Sequence, residues 1–174
     1  HMKSILITGA SSGIGYATAQ IFLDAGWRVG LIARRADRLS GLADKYDSAI
    51  ALPCDVTDEA EVDAAFDKAV AAWERIDVLF NNAGVGIKEA KRRIWTLPEK
   101  DWQWTYAVNV LGVTNGIRAF VPRMLENDEE GHIVNTSSGN GGIASLPTTP
   151  AYASSKAAVT SLTEVLHFQL VLDG

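Results

Sequence analysis

Short β-branched and apolar runs alternate with longer amphipathic runs along almost the whole chain. That alternation constrains the fold more than any other feature. It predicts strands at Ser4–Thr8, Arg28–Ala33, Ala49–Cys54, Asp77–Asn81 and His132–Thr136. It predicts helices at Gly13–Ala25, Ala36–Lys45, Glu59–Trp73, Glu99–Glu126 and Ala151–Leu172. Near-continuous apolar strands such as Val78-Leu79-Phe80 suit a parallel sheet covered on both faces. Strands separated by helices specify an α/β fold, a doubly wound parallel sheet with right-handed crossovers. Thr57 or Asp58 is expected to cap the third helix, with Glu61 in its first turn. Pro98 is expected just before Glu99 at the start of the fourth. No repeat, low-complexity tract or linker breaks the pattern, so residues 1–174 are read as a single domain. A doubly wound sheet would continue past the last helix into a further strand. The domain is therefore expected to be C-terminally incomplete, without its C-terminal strands.

Composition narrows the function classes. Hydrophobic residues make up 47% of the chain and charged residues 21%, as in ordinary globular proteins. His1-Met2 reads as a cloning scar. No secretory signal or membrane-length apolar run is seen. Cys54 is the single cysteine, which fits a reducing, cytoplasmic location. The net charge of −5 argues against a nucleic-acid partner, because phosphate backbones need a basic surface. The densest basic cluster, Lys88, Lys91, Arg92 and Arg93, is read as a solvated face or a loop over a phosphate-bearing ligand. Glu126-Asn127-Asp128-Glu129-Glu130-Gly131 is read as a polar helix end and turn.

Thr8-Gly9-Ala10-Ser11-Ser12-Gly13-Ile14-Gly15 joins the first strand to the first helix. A helix N-terminus presents free backbone N–H groups and a positive dipole end, which together favour a phosphate. Gly9 is expected to start the turn, Gly13 to permit close approach, and Gly15 to let the helix pack on the sheet. Ser11 and Ser12 add hydroxyl donors. The spacing is not that of G-x-G-x-x-G, so alone it indicates only a phosphate near a helix. The second strand ends in Ala33, then Arg34 and Arg35. A cofactor with a free ribose 2′-hydroxyl meets a carboxylate roughly 20 residues past the glycines. Here that carboxylate is missing, and guanidinium forks pair well with phosphate oxygens. NADP(H) is thus expected rather than NAD, the alternative being that both arginines are plain surface charges.

Tyr152 and Lys156 stand at i and i+4 and would share a helix face. A free tyrosine, with a pKa of about 10, is a poor base near neutrality; a nearby ammonium favours phenolate. Such a pair can move a proton to or from an alcohol oxygen. Ser138, at the end of the fifth strand, can donate to a substrate oxygen. A serine nucleophile is the rival. Its base would be His132, on the same strand and about 20 Å off, or His167, far along the last helix. No G-x-S-x-G surrounds these serines. No metal site is expected from the spacing of His, Cys, Asp and Glu.

Taken together, these motifs resemble the classical short-chain dehydrogenase/reductase family from Lys3 to about Leu172. The glycine stretch is similar to that family's own signature. Cys54-Asp55-Val56-Thr57 resembles its adenine-side segment, with Asp55 toward the base. Asn81-Asn82-Ala83-Gly84 resembles its fourth-strand motif, near the cofactor. Asn109 matches its helix asparagine, whose main chain holds a water linked to the lysine. Ser138, Tyr152 and Lys156 match the remaining catalytic positions. The resemblance implies a Rossmann-type fold and hydride transfer between nicotinamide C4 and the carbonyl carbon of a secondary alcohol/ketone pair. Tyr152 would carry the proton, Ser138 polarise the oxygen, and Lys156 favour phenolate and hold the ribose. Asn109 would complete a proton relay. The cofactor set is Gly9, Ser11, Ser12, Gly13, Ile14, Gly15, Arg34, Arg35, Asp55, Val56, Asn82, Ala83, Gly84, Tyr152 and Lys156.

Two departures stand out. Tyr152 lies 14 residues after Ser138, where the family is often one shorter. The flexible Gly139-Asn140-Gly141-Gly142 could absorb the extra residue, and Ser137 is the fallback serine. The family also continues past the equivalent of Gly174 into segments that cover the nicotinamide and substrate. A catalytically incomplete NADP-binding protein is therefore the alternative function. Trp95, Trp102, Trp104 and Tyr106 are expected in the core or a subunit contact rather than stacked on substrate. Glu99–Glu126 and Ala151–Leu172 resemble the helices by which family members pair, so a homodimer or homotetramer is expected. The other partner is a small molecule, with no membrane partner.

Overall fold

The computed structural model describes residues 2–86, 91–126 and 130–173. His1, Lys88 of the basic cluster, and Asn127, Asp128 and Glu129 of the acidic stretch lie outside the described residues. The strands are β1 (Ser4–Thr8), β2 (Arg28–Ala33), β3 (Ala49–Pro53), β4 (Val78–Asn81) and β5 (His132–Asn135). The helices are α1 (Gly13–Asp24), α2 (Ala36–Ala43), α3 (Glu59–Trp73), α4 (Glu99–Tyr106), α5 (Gly112–Leu125) and α6 (Pro150–Asp173). Every strand was anticipated to within a residue or so.

The helix expected over Glu99–Glu126 is the exception. A π-helical segment, Ala107–Leu111, separates α4 from α5. Asn109 sits in that wider turn. Periodicity cannot reveal such an insertion, because one extra residue in a turn leaves the apolar spacing on either side intact. At the head of α3 the structure selects between the two expected caps. Asp58 accepts from the Glu61 N–H at 3.1 Å, while Thr57 donates to Asp55 instead.

By their contacts the residues form two compact units. The first comprises His1–Ala83 and Gly112–Val134; the second comprises Gly84–Leu111 and Asn135–Gly174.

The first unit is built on a parallel sheet in the order β3-β2-β1-β4-β5. The chain leaves β3 at one side and returns as β4 beside β1. This makes β1 and β4 the switch point, where ligands bind beyond the carboxyl ends of the strands. All five residues of β1 are buried. Alternate side chains serve opposite faces. Ile5 and Ile7 join Val29, Leu31, Leu39 and Leu42 in one core cluster with Ala19 and Leu23 of α1. Elsewhere in this unit Phe66 of α3 meets Phe120 of α5, ring centroids 6.2 Å apart. Full burial of such side chains stabilises by about 1.5–3 kcal/mol each. At the opposite end of the sheet, buried Asp77 accepts from the Ser4 N–H at 2.8 Å and pairs with Arg75.

The second unit packs α4, the π segment and α6 together. Along α6, Ala151, Ala153, Ser155, Lys156 and Val159 are buried. A lysine and a serine on a buried helix face need specific partners. Among the described residues, no helix is long and apolar enough to cross a membrane.

Candidate functional site

In the first unit the glycine turn closes over the ends of β1 and β4. Gly9 and Gly13 have φ of +66° and +58°, a region that strains any residue with a Cβ. A Cβ on Gly15 would lie 2.3 Å from the Gly9 carbonyl oxygen and 2.7 Å from Asn82 Nδ2. So Gly15 lets α1 sit directly on the Gly9 turn and Asn82, where packing on the sheet was expected. A Cβ on Gly13 would meet nothing within 4 Å, so the turn is open on that side. Thr8 accepts with its hydroxyl from the N–H groups of Asn82, at 3.0 Å, and Ala83, at 2.9 Å. One side chain thereby ties the two strand ends that flank the switch point.

The start of α1 leaves its backbone donors without a side-chain cap. Ser12 is its N-cap residue, yet the side chain makes no capping bond, and no acidic residue occupies the first turn. The first-turn N–H groups therefore lack the usual side-chain partner. Ser11 is half-buried, while Ser12 and Ile14 are exposed. The open turn, the uncapped N–H groups and the free Ser12 hydroxyl can accept a dinucleotide phosphate.

Beyond β2, Arg34 and Arg35 are exposed and have no hydrogen-bond or ion-pair partner among the described residues. Beyond β3, Asp55 Oδ1 accepts from the Thr57 N–H at 2.9 Å and the Thr57 hydroxyl at 2.8 Å. Asp55 also donates its own N–H to Glu61 at 2.7 Å. These bonds hold the turn and leave Asp55 Oδ2 for a ligand. The Val56 carbonyl accepts from Asn115 at 2.9 Å, which anchors the same segment to α5. Cys54 is buried beside it. Burial first, then the carboxylates of Glu61, Asp55 and Asp58, push its thiol up to about 12. It is a packing side chain rather than a nucleophile.

The second unit holds the reactive candidates. Asn109 is 0% exposed. Its Oδ1 accepts from the Val85 N–H at 2.7 Å, and its Nδ2 donates to the Val85 carbonyl at 2.9 Å. The amide thus clamps the backbone that follows Gly84. Asn109 Nδ2 also donates to Ser155 Oγ at 3.0 Å, and Ser155 donates to the Tyr152 carbonyl at 2.7 Å. Asn109 therefore braces the backbone turn that carries Tyr152. The Tyr152 ring packs beside Gly86, where an added Cβ would lie 3.8 Å from Tyr152 Cδ2.

Lys156 is 4% exposed. Its Nζ donates to the Thr136 carbonyl at 3.0 Å and lies 5.7 Å from the centre of the Tyr152 ring. Burial holds its pKa below the ordinary 10.5. A cation over a ring contributes about 0.5–2 kcal/mol, and the hydrogen bond about 1.5–3 kcal/mol. Burying an ion costs several kcal/mol. The lysine is thus not explained as a stabilising contact.

The two serines differ. Ser137 donates to the Lys156 carbonyl at 3.0 Å and shares a 2.7 Å contact with Thr160. Ser138 Oγ accepts from the Asn140 N–H at 3.2 Å, so its own proton stays available. Gly139–Ile143 forms an irregular turn rather than a loose insertion. Asn140 donates to the Thr149 hydroxyl at 3.0 Å and accepts from the Leu146 N–H at 2.9 Å. Gly141, with φ of +99°, lies so close to α6 that a Cβ would sit 1.8 Å from the Ala153 carbonyl oxygen.

Some of these groups escape sequence reasoning. Thr136 and Val85 act through backbone atoms, so their side chains carry no signal. Ser155 was legible in principle, three residues after Tyr152. Trp95 is 81% exposed, and Trp104 is also exposed, so of the two expected places, core or subunit contact, the core is excluded for both. Trp95 is the middle residue of a 3-10 turn, Ile94–Thr96, which buries none of its residues. Of the two histidines considered as bases, His132 lies 3.6 Å from Glu130 and His167 packs edge-on to Phe168.

The short chain dehydrogenase family profile matches residues 3–174. A CLA biosynthesis dehydrogenase/reductase of Lactiplantibacillus plantarum is 31% identical over 172 residues, 97% of this chain and 59% of that protein. The chain thus spans about three-fifths of that relative's length. A short chain dehydrogenase/reductase from Burkholderia phymatum, solved in complex with NAD, superposes with a TM-score of 0.93 at 39% identity. The match covers 99% of this chain and 62% of that one. A 3-ketoacyl-(acyl-carrier-protein) reductase from Brucella melitensis, complexed with NADH, gives 0.92 at 32% identity, over 97% of this chain and 70% of that one. With the strand order, the glycine turn and the Tyr152–Lys156 helix on the same chain, the protein belongs to the short-chain dehydrogenase/reductase family.

Proposed function

We propose that this protein is an NADP-dependent oxidoreductase interconverting a secondary alcohol and a ketone. The observation that carries the reading is the buried Lys156 ammonium beside the Tyr152 ring, an arrangement whose contacts do no more than offset the cost of burying the charge. The first unit carries the glycine turn, Arg34, Arg35 and Asp55, and the second carries Asn109, Ser138, Tyr152 and Lys156. Bound nicotinamide would supply or accept the hydride.

The chain's own groups would handle the proton and the oxygen. Tyr152 gives its phenolic proton to the oxygen in reduction and takes one in oxidation. The ammonium of Lys156 favours the phenolate that reduction leaves behind. Ser138, its proton uncommitted, donates to the substrate oxygen and stabilises the charge that develops there. Asn109 keeps the π segment and Val85 in place beside this group.

The preference for NADP rests on Ala33 where a carboxylate would serve the ribose hydroxyl, and on two unpaired guanidinium groups directly after it. The Burkholderia and Brucella structures contain NAD and NADH, so the NADP reading rests on the residues of this chain alone. Replacing Tyr152 by Phe is expected to keep NADPH affinity within about twofold. It should lower kcat by at least about 100-fold, as loss of a general acid–base does. NADPH oxidation with a panel of ketones measures both. Wild-type turnover in the variant would refute the mechanism. Tight NADPH binding with no turnover by the unmutated protein would favour a cofactor-binding protein without catalysis.

A further inference from the structure

The second unit contains a cavity of about 340 Å³ between the Arg92–Trp95 turn and the Ser145–Pro150 segment, closed from α6 by Ala153 and Ser154. That volume lies at the lower end of the range for small-ligand pockets. Ile94, Trp95, Leu146, Pro147 and Pro150 make much of its wall apolar. Arg92 and Arg93 line it, and among the described residues no aspartate or glutamate does. Arg92 donates to the Thr96 carbonyl at 3.3 Å, which fixes the short turn presenting both arginines. On the opposite wall, Asn140 holds the Leu146 N–H. Both walls are therefore braced by hydrogen bonds.

Two consecutive cations, Arg92 and Arg93, stand at this cavity in a chain whose net charge is −5. A guanidinium fork at an apolar rim pairs with a carboxylate, and the exposed Trp95 indole offers a face for a short hydrocarbon tail. Neither Ser138 nor Tyr152 lines the cavity, so it holds a part of the ligand remote from the reacting carbonyl. We propose that this cavity binds the carboxylate end of a keto acid or hydroxy acid with a short apolar chain. The substrate assignment rests on the oxidoreductase reading; the binding site does not. In reduction, the ketone carbon takes a hydride from the reduced nicotinamide and its oxygen a proton from Tyr152. The carboxylate is unchanged.

Hexanoate, hexanol and hexylammonium, titrated into the purified protein without cofactor and followed by tryptophan fluorescence, test the site. Hexanoate should bind about tenfold more tightly than hexanol, the scale of one charge-assisted hydrogen bond, and the gap should shrink with added salt. Arg93→Ala should abolish the preference, and Arg93→Glu should transfer it to hexylammonium. Arg93 is exposed, so both variants should fold, which circular dichroism checks. Equal affinity for hexanoate and hexanol, or a preference untouched in Arg93→Ala, overturns the proposal. A second arm compares NADPH-dependent reduction of 5-oxohexanoate and 2-hexanone, with kcat/KM about tenfold higher for the acid and the difference lost in Arg93→Ala. If neither ketone is reduced while the hexanoate preference holds, the hydride reading fails and the carboxylate site stands.

Discussion

Single residues carry the distinguishing chemistry. The Arg34 guanidinium is exposed just past the end of β2 and has no partner among the described residues. Arg34→Ala is expected to weaken NADPH binding about tenfold or more, as loss of a charge-assisted contact does, and to leave NADH nearly unchanged. Isothermal titration with the two cofactors measures the ratio; an unaltered ratio would remove the assignment of the 2′-phosphate site. Lys156 offers a test through pH. Burial lowers its pKa in the folded chain, so the unfolded chain keeps the proton to higher pH. Stability then rises with pH as the solution passes from the lowered folded value toward the ordinary 10.5. Lys156→Met removes this titration. Denaturant melts at stepped alkaline pH should show the wild type gaining on the variant; a gap that stays constant or closes the other way would contradict the buried ammonium.

At the scale of elements, the turn between Ser138 and α6 matters most. A run of glycines reads as slack, yet one asparagine brackets it. Asn140 holds Leu146 and Thr149 through its side chain and meets Ser138 through its backbone. It therefore sets the distance between the serine and the helix bearing Tyr152. Asn140→Ala removes two hydrogen bonds, each contributing about 0.5–1.5 kcal/mol. Turnover is expected to fall about tenfold through misplacement of reacting groups, with NADPH affinity unchanged. A variant of normal kcat would show that the turn keeps its shape without the bracket. The π segment at Asn109 is a parallel case. Its amide replaces helix regularity with a clamp on Val85, a contact 24 residues distant in sequence.

At the scale of the molecule, α6 exposes Val165, Phe168, Val171 and Leu172, and the π segment and α4 expose Leu111 and Trp104. Single exposed apolar residues are ordinary, but several on one helix mark an interaction surface. We expect a homo-oligomer in solution. Light scattering should give a mass of two or four chains, and Phe168→Asp should lower it. A monomeric wild type would contradict the expectation.

Local features of the sequence determined much of this protein. Strand and helix positions follow from apolar periodicity, because burial on a sheet face or helix stripe repeats every two or every 3.6 residues. The roles of Gly9 and Gly15, and the Tyr152–Lys156 pairing, follow from short-range geometry for the same reason. Tertiary structure alone decided the rest. The π segment places Asn109 against Val85, and the different bonding of Ser137 and Ser138 depends on Thr160 and the Lys156 carbonyl meeting the former. The acceptor for Lys156 is a carbonyl 20 residues away, and Trp95 lines a cavity only because Leu146 and Pro147 stand opposite it. These are contacts between segments remote in sequence, made through backbone atoms or cavity walls, and no local pattern encodes them.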